Sequence, residues 1–306
     1  MNLRDLEYAV AVADHGGFGR AAAACNVSQP TLSGQILKLE AELGLRLFER
    51  AGRSARVEER AAGVIAEARA ALAAAGNVAA AARAARDPFA GPLRVGVIAT
   101  VAPYLLPLAL PDAMKALPRT PLHLVEDLTD RLIGRVSEGG LDAAVIASDA
   151  QSARFAAVPL YEEPFYWVSA HGARPRRRKT IGVGEIDADR LLLLAEGHCL
   201  RDQALALCGA AKGPQGADVR AMSLETIRHL AAAGQGATLA PLLAFANWRR
   251  QGKDLEGLRV VGRGASRLVR LVDRRNNARE PALEALAASL KASAERALAA
   301  ALSESG

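Results

Sequence analysis

The residues with the richest chemistry lie in one stretch, Glu196-Gly197-His198-Cys199-Leu200-Arg201-Asp202-Gln203-Ala204-Leu205-Ala206-Leu207-Cys208. Gly197-His198 separates an apolar run, Leu191–Ala195, from a helical one, so Cys199 is expected at or near a helix N-terminus. Free backbone N–H groups and the helix dipole favour a thiolate at such a position. Arg201 adds positive charge within reach, and His198 can donate a hydrogen bond or hold an oxidant. A thiolate attacks an O–O bond, and the first product is a sulfenic acid. The second sulfur, Cys208, follows nine residues later. On one continuous helix the two Cα atoms stand about 13 Å apart at ~1.5 Å per residue, whereas a disulfide needs roughly 4.4–6.8 Å. A bond between them therefore requires the helix to unwind, which suits a conformational switch better than the C-x-x-C type of redox centre.

Plainer readings of the same residues stand beside this one. Two cysteines in an α/β lobe serve equally as small buried hydrophobes. His198 with the two cysteines could begin a zinc site, but no fourth ligand is evident nearby. Cys25, in an alanine-rich segment, reads as core. Three cysteines in all argue against a structural disulfide framework and leave at least one thiol free.

The elements that must hold these residues follow from periodicity. Leu3, Leu6, Val10 and Ala13 space a first helix, ended by His15-Gly16-Gly17. A second helix runs from about Gly19 to Cys25. Ser28 reads as the N-cap of a third, with Pro30 in its first turn and Leu32, Ile36, Leu39 and Leu43 as its buried stripe, closed by Gly44. Two helices and a tight turn make a helix-turn-helix. Leu45–Val57 then forms a ribbon, or wing, carrying Arg46, Arg50, Arg53 and Arg56. Residues 61–86 are mostly alanine, with Ile65, Ala68, Leu72, Ala75, Ala79 and Ala82 in a heptad-like seam where two helices could approach closely; a solvated single helix is the other reading.

From Leu93 the texture changes to alternating strands and helices: Leu93–Ala99 (strand), Tyr104–Leu117 (helix interrupted by Pro107 and Pro111), Leu122–Glu126 (strand), Leu128–Glu138 (helix), Leu141–Ala147 (strand). Leu191–Ala195 (strand), Cys199–Ala211 and Ser223–Gly234 (helices) and Ala237–Leu239 (strand) repeat it. The fold class is α/β with largely parallel sheets, split into two lobes around a cleft. Thr100 and His198 follow strand ends, where such folds bind ligands. The basic run Arg174–Lys179 reads as a solvated loop.

With 51% hydrophobic and 24% charged residues, the 306-residue chain has ample material for packed cores. A net charge of +6 permits a nucleic-acid partner without requiring one, because residues 1–60 hold eight Arg/Lys and eight Asp/Glu. The N-terminus is too charged for a signal peptide and no uninterrupted apolar run approaches a membrane span, so a cytoplasmic location and no membrane are expected. No cofactor or metal is called for.

Residues 1–60 resemble the winged helix-turn-helix of LysR-type transcriptional regulators. The match runs through Phe18, Ala21-Ala22, Val27-Ser28-Gln29-Pro30-Thr31-Leu32-Ser33-Gly34-Gln35-Ile36, Lys38-Leu39-Glu40, Leu43-Gly44 and Leu47-Phe48-Glu49-Arg50. The remainder is similar to that family's two-lobed effector domain, itself like periplasmic binding proteins. Within the family, Gly197–Ala204 with Cys208, Pro103-Tyr104-Leu105-Leu106-Pro107 after Thr100, Ser223-Leu224-Glu225-Thr226 and Gly236…Pro241 resemble the hydrogen-peroxide-sensing branch. One departure is Val57-Glu58-Glu59-Arg60, where the family commonly carries a Thr-x-x-Gly-like turn; two carboxylates there oppose phosphate contacts.

The resemblance implies a DNA-binding regulator, not an enzyme. Peroxide would oxidise Cys199, which would then form a disulfide with Cys208 and so switch conformation. Thr100, Thr129, His198, Arg201 and Arg267 would position peroxide. Arg4, Gln29, Pro30, Thr31, Ser33, Gln35, Lys38, Arg50 and Arg53 would face DNA. The implied domains are 1–60 (DNA-binding), 61–90 (linker and dimerisation helix) and 91–306 (regulatory). In the last, lobe I covers about 91–163 plus 268–306 and lobe II about 164–267. Implied partners are a double-stranded operator, hydrogen peroxide, further copies of the chain in a dimer of dimers, RNA polymerase and a thiol reductant. The other readings are a regulator answering a small organic effector in the cleft and, outside regulators, a thiol peroxidase.

Overall fold

The computed structural model describes residues 1–51, 54–149, 152–172, 178–209 and 223–305, the side chains of residues 50, 51 and 305 excepted. Two compact units are distinguished, Met1–Ala82 with Glu138–Gly140, and Arg83–Ser137 with Leu141–Gly306.

In the first unit, α1 (Leu3–His15) starts at Asn2, whose side chain accepts the Asp5 N–H while the Asp5 carboxylate accepts the Asn2 N–H. That reciprocal pairing satisfies two otherwise orphaned donors. Its buried residues are Leu6, Tyr8, Ala9 and Val12, and Leu3 is 48% exposed. The inward face is thus rotated from the expected Leu3–Ala13 stripe, because the Tyr8 ring turns inward. α2 (Phe18–Ala24) and α3 (Gln29–Leu43) complete the bundle. Ser28 Oγ accepts the Thr31 N–H at 3.3 Å, Pro30 occupies the first turn, and Gly44 closes α3 at φ +63°. Leu32, Ile36 and Leu39 are buried as expected, but Leu43 is 37% exposed, so the stripe ends a turn early.

The wing consists of β1 (Phe48–Ala51) and β2 (Ser54–Val57), antiparallel with Phe48 opposite Val57. Glu40 of α3 fixes its start by accepting the Leu47 and Phe48 N–H groups at 2.7 and 3.3 Å. Phe48 packs edge-on against Phe18 at 6.0 Å, joining ribbon and helices into one core.

α4 (Ala62–Arg86) runs unbroken through Gly76-Asn77. Its stretch Glu59–Arg86 is long and apolar enough to cross a membrane by length and composition, with a best-window mean hydropathy of 1.3 and 11% of that window buried. Glu67, Arg69, Asn77 and Arg83 interrupt it, so it is still no uninterrupted apolar run. Alanines, each weakly apolar, raise the average where no long run of large side chains exists.

The second unit is built on β3 (Leu93–Ile98), α5 (Ala102–Ala116), β4 (Leu122–Asp127), α6 (Thr129–Ser137), β5 (Ala143–Ile146), β6 (Phe155–Ala170) and β7 (Thr180–Gly182). α7 (Cys199–Cys208), α8 (Leu224–Ala232), β8 (Ala237–Pro241), α9 (Leu242–Gln251), β9 (Leu255–Val261), β10 (Ser266–Arg274) and α10 (Glu280–Ser305) follow. The strand order is β4-β3-β5-β10-β6-β9-β7, with β8 also on β6. β3 pairs β4 and β5 in parallel, and β7 pairs β9 in parallel. β10 against β5 and β6, and β6 against β8 and β9, are antiparallel. The sheet is therefore mixed rather than largely parallel. β6 leaves one lobe for the other and β10 returns beside it, so the pair must run antiparallel. The first part of β6, Phe155–Pro164, pairs β10, and the rest, Phe165–Ala170, pairs β8 and β9, so one strand serves both lobes.

Two further expectations are corrected. Leu191–Ala195 is no strand; Leu191 makes a single bridge to Ala237, and Leu192 N–H donates to Ala237 O at 2.7 Å. Leu191–Leu194 are nonetheless buried, so burial alone produced the apolar signal. α5 is not interrupted by Pro107 and Pro111. Both lie on its exposed face, where the carbonyls they leave without helical partners can be hydrated. The segment after α4 is firmly held: Arg279 donates to Pro88 O, Pro92 O and Gly91 O at 2.7, 3.1 and 3.2 Å, and Thr120 Oγ1 to Phe89 O at 2.7 Å.

Candidate functional site

Cys199 is the first residue of α7 and His198 its N-cap, so the sulfur sits where helix N–H groups have no intrahelical partner. Gly197 before them has φ +90°, and a Cβ there would stand 2.9 Å from Leu128 Cδ1. Only glycine brings α7 this close to the β4–α6 junction. The result is a narrow recess, lined among others by Thr100, Asp127, Thr129, His198 and Cys199, with no free space for a water-sized molecule as it stands.

The recess is polar and in part unsatisfied. Among the described residues, Thr129 Oγ1 and His198 Nε2 are buried without a protein hydrogen-bond partner. Such groups are costly unless something pairs with them. His198 is 6% exposed, and burial pushes its pKa below the ordinary value, favouring a neutral ring that can donate one hydrogen bond and accept another. Because the unfolded chain takes up this proton first, folding stability is fully present above about pH 6.5 and falls as the pH drops below it. Thermal melts from pH 7.5 to 5 should show that decline, and His198→Asn should flatten it; an unchanged slope would remove His198 as its source.

Arg267 backs the recess. Its Nη1 donates to Thr100 Oγ1 and its Nη2 to Thr100 O, both at 3.0 Å, while its Nε donates to Glu163 Oε2 at 3.0 Å. Burial opposes the charge, but attraction to Glu163, then to Tyr161 and Cys199, outweighs it and raises the pKa of Arg267. The guanidinium is thus a fixed cation whose field reaches the Cys199 sulfur. Arg201 is placed differently. Its Nη1 donates to Leu194 O at 3.1 Å, and it does not line the recess.

Cys208 is the last residue of the same ten-residue helix, and both cysteines are free and half-buried. Burial raises the pKa of Cys208, keeping it a thiol. The helix is held by buried Leu200, Ala204 and Leu207 and by Gln203 Nε2 donating to Ala147 O at 2.6 Å. Nothing within it shortens the path between the two sulfurs. Among the described residues, no group of three or more His, Cys, Asp or Glu could hold a metal ion.

On α3, Gln29, Pro30, Thr31 and Lys38 are exposed, and Ser33 and Gln35 half-buried. Arg4 is exposed, with Nε donating to Tyr8 OH at 3.2 Å and its guanidinium 5.6 Å from that ring's centre. Arg53 and the Arg50 side chain lie outside the described residues, as do Arg174–Arg177 of the basic run. Arg46 Nε stands 4.0 Å from Glu58 Oε1, so part of the wing's negative charge faces a basic neighbour.

Sequence reasoning missed Glu163 and Glu40. Glu163 accepts the Leu243 N–H from 80 residues away, a role with no local signature, whereas Glu40 accepts the Leu47 and Phe48 N–H groups just past the end of its own helix.

Comparison with known proteins agrees with this geometry. Residues 3–61 match the bacterial regulatory helix-turn-helix protein family model, lysR family, and residues 86–295 the LysR substrate binding domain. The chain is 41% identical over 244 residues to a hydrogen peroxide-inducible genes activator of Dickeya chrysanthemi, covering 80% of each. It is 40% identical over 251 residues to the DNA-binding transcriptional dual regulator OxyR of Escherichia coli K12, covering 82% of each. Among solved structures, a cysteine-to-aspartate variant of full-length OxyR from Pseudomonas aeruginosa has a TM-score of 0.71 at 36% identity, over 95% of this chain and 98% of that one. A cysteine-to-serine variant of Corynebacterium glutamicum OxyR with hydrogen peroxide bound has a TM-score of 0.66 at 33% identity, over 99% and 95%. A helix-turn-helix with a wing, an alanine-rich helix and a two-lobed mixed α/β unit, matched along nearly the whole chain, place it in the LysR family of transcriptional regulators.

Proposed function

We propose that this chain is a DNA-binding transcription regulator switched by hydrogen peroxide, with Cys199 as the reacting group. The observation carrying this reading is that Cys199 lines one tight recess together with two residues bearing buried unpartnered polar atoms, Thr129 Oγ1 and His198 Nε2. Peroxide is small and donates and accepts hydrogen bonds at both oxygens, so it can meet both groups once the recess opens to admit it.

The Cys199 thiolate attacks one peroxide oxygen. An S–O bond forms as the O–O bond breaks; sulfur loses two electrons, and the departing hydroxide takes up a proton as water. Thr100, held by Arg267, and the neutral His198 orient the oxidant. The Cys208 sulfur then displaces hydroxide from the sulfenic acid, giving a disulfide and a second water. Arg201 acts later, since the bond it makes to Leu194 O must yield when α7 unwinds.

DNA contacts fall to Gln29, Pro30, Thr31, Ser33 and Gln35 at the start of α3, to Lys38, and to Arg4, Arg50 and Arg53 on phosphates. α4 offers its alanine seam to a second copy, and paired dimers would bridge half-sites on one face of the duplex. RNA polymerase, a cellular dithiol that reverses the switch, and a cytoplasmic location complete this reading. The regulatory lobes divide near residues 163–164 and 267–268, close to where β6 exchanges β10 for β8 and β9. Every named relative is a regulator rather than a peroxidase.

Intact mass spectrometry after one equivalent of peroxide tests the chemistry. The expected result is a loss of two hydrogens with a Cys199–Cys208 crosslink in the peptide map. Uptake of oxygen at Cys25 alone, with Cys199 untouched, would overturn the assignment.

A further inference from the structure

Glu163 carries a buried charge that the site chemistry described so far does not use. It is fully buried in β6, and its carboxylate spans two elements. Oε2 accepts from Arg267 Nε at 3.0 Å and lies 2.9 Å from Arg267 Nη2, while Oε1 accepts the Leu243 N–H at 2.9 Å in the first turn of α9. Arg267 has five donors in a rigid plane. Glu163 takes those along one edge, and the remaining edge can then meet only Thr100, through its hydroxyl and its carbonyl.

We propose that Glu163 is a positioning residue for the oxidation of Cys199, acting wholly through Arg267 to fix the Thr100 hydroxyl at the recess. The proposal rests on the peroxide reading above. Three features support it. A carboxylate this deep in the core is retained only when fully paired, and both oxygens are. The N-terminus of α9 supplies the second anchor, so the carboxylate cannot swing with Arg267 but holds it against a fixed point. Finally, Thr100 Oγ1 spends a lone pair on Arg267, so its own O–H is left to point elsewhere, and Thr100 lines the recess. Without Glu163, Arg267 is free to turn, and the direction of that O–H is lost.

The test is a double-mutant cycle on the second-order rate of Cys199 oxidation by hydrogen peroxide, read by intact mass in full-length protein. Glu163→Gln keeps the shape and removes the charge. It should slow oxidation about 10-fold or more, the scale of a misplaced positioning group. In an Arg267→Gln background the same change should slow it less than about 2-fold, because the residue it acts through is gone. A purely structural role would slow both backgrounds alike. That result, or a wild-type rate for Glu163→Gln, overturns the proposal. Should Glu163→Gln fail to fold, Glu163→Asp, which keeps the charge on a shorter arm, is measured instead with the same two outcomes. The wild-type protein separates this idea from its foundation: if its Cys199 does not react with peroxide, the peroxide reading fails first.

Discussion

Cys199→Ser should leave the protein folded and bound to DNA, with a footprint that peroxide no longer changes. The substitution is nearly isosteric at a half-buried position, so its cost in stability should stay within about 1 kcal/mol. Its chemical effect is complete. A serine hydroxyl does not ionise near neutral pH and is a poor nucleophile toward an O–O bond, so neither the sulfenic acid nor the disulfide can form. DNase footprints of wild type should differ before and after peroxide, whereas those of the variant should coincide with the reduced wild type. Cys208→Ser separates the two steps: Cys199 still gains one oxygen, but no crosslink follows. A Cys199→Ser footprint that shifts on peroxide treatment as the wild type does would place the sensor elsewhere.

How much of this was legible in the sequence depends on the range over which each residue acts. Ser28, Pro30 and Gly44 act within a turn of where they stand, and they fixed the limits of α3 directly. The Gly197-His198-Cys199 order likewise placed the sulfur at a helix start, because a positive-φ glycine and an N-cap are local features. What sequence could not give was pairing across distance. Glu163 holding Arg267 and Arg279 holding residues 88–92 each join segments whose meeting is decided by the tertiary fold. Arg201 shows the same limit from the other side. Its closeness in sequence pointed to Cys199, yet the helix turns its side chain back to Leu194 O. β6 escaped notice because Pro159, Glu162-Glu163 and Pro164 break the alternation of an ordinary strand, and the leucines at 191–194 imitated one by burial alone.

Oxidation should melt α7, and hydrogen exchange is the measurement that sees it. The two sulfurs sit at opposite ends of a ten-residue helix, about 13 Å apart between Cα atoms at ~1.5 Å per residue, and must approach to less than about 7 Å. Rigid rotation of α7 cannot achieve this, since both cysteines move with it. Unwinding costs the burial of Leu200 and Leu207, about 1.5–3 kcal/mol each. It also breaks the bonds from Arg201 to Leu194 O and from Gln203 to Ala147 O, about 0.5–1.5 kcal/mol each. Together that is about 4–9 kcal/mol before any contact is regained. For a two-electron couple it lifts the reduction potential by about 90–190 mV. The disulfide is therefore easily reduced, which lets the switch reset. In the reduced protein the amides of residues 203–208 should exchange slowly. In the oxidised protein their protection should fall by about 100-fold or more, while the β3 and β5 amides keep theirs. Equal protection of α7 in both forms, with the crosslink confirmed by mass, would mean that the sulfurs meet by a route other than the loss of this helix.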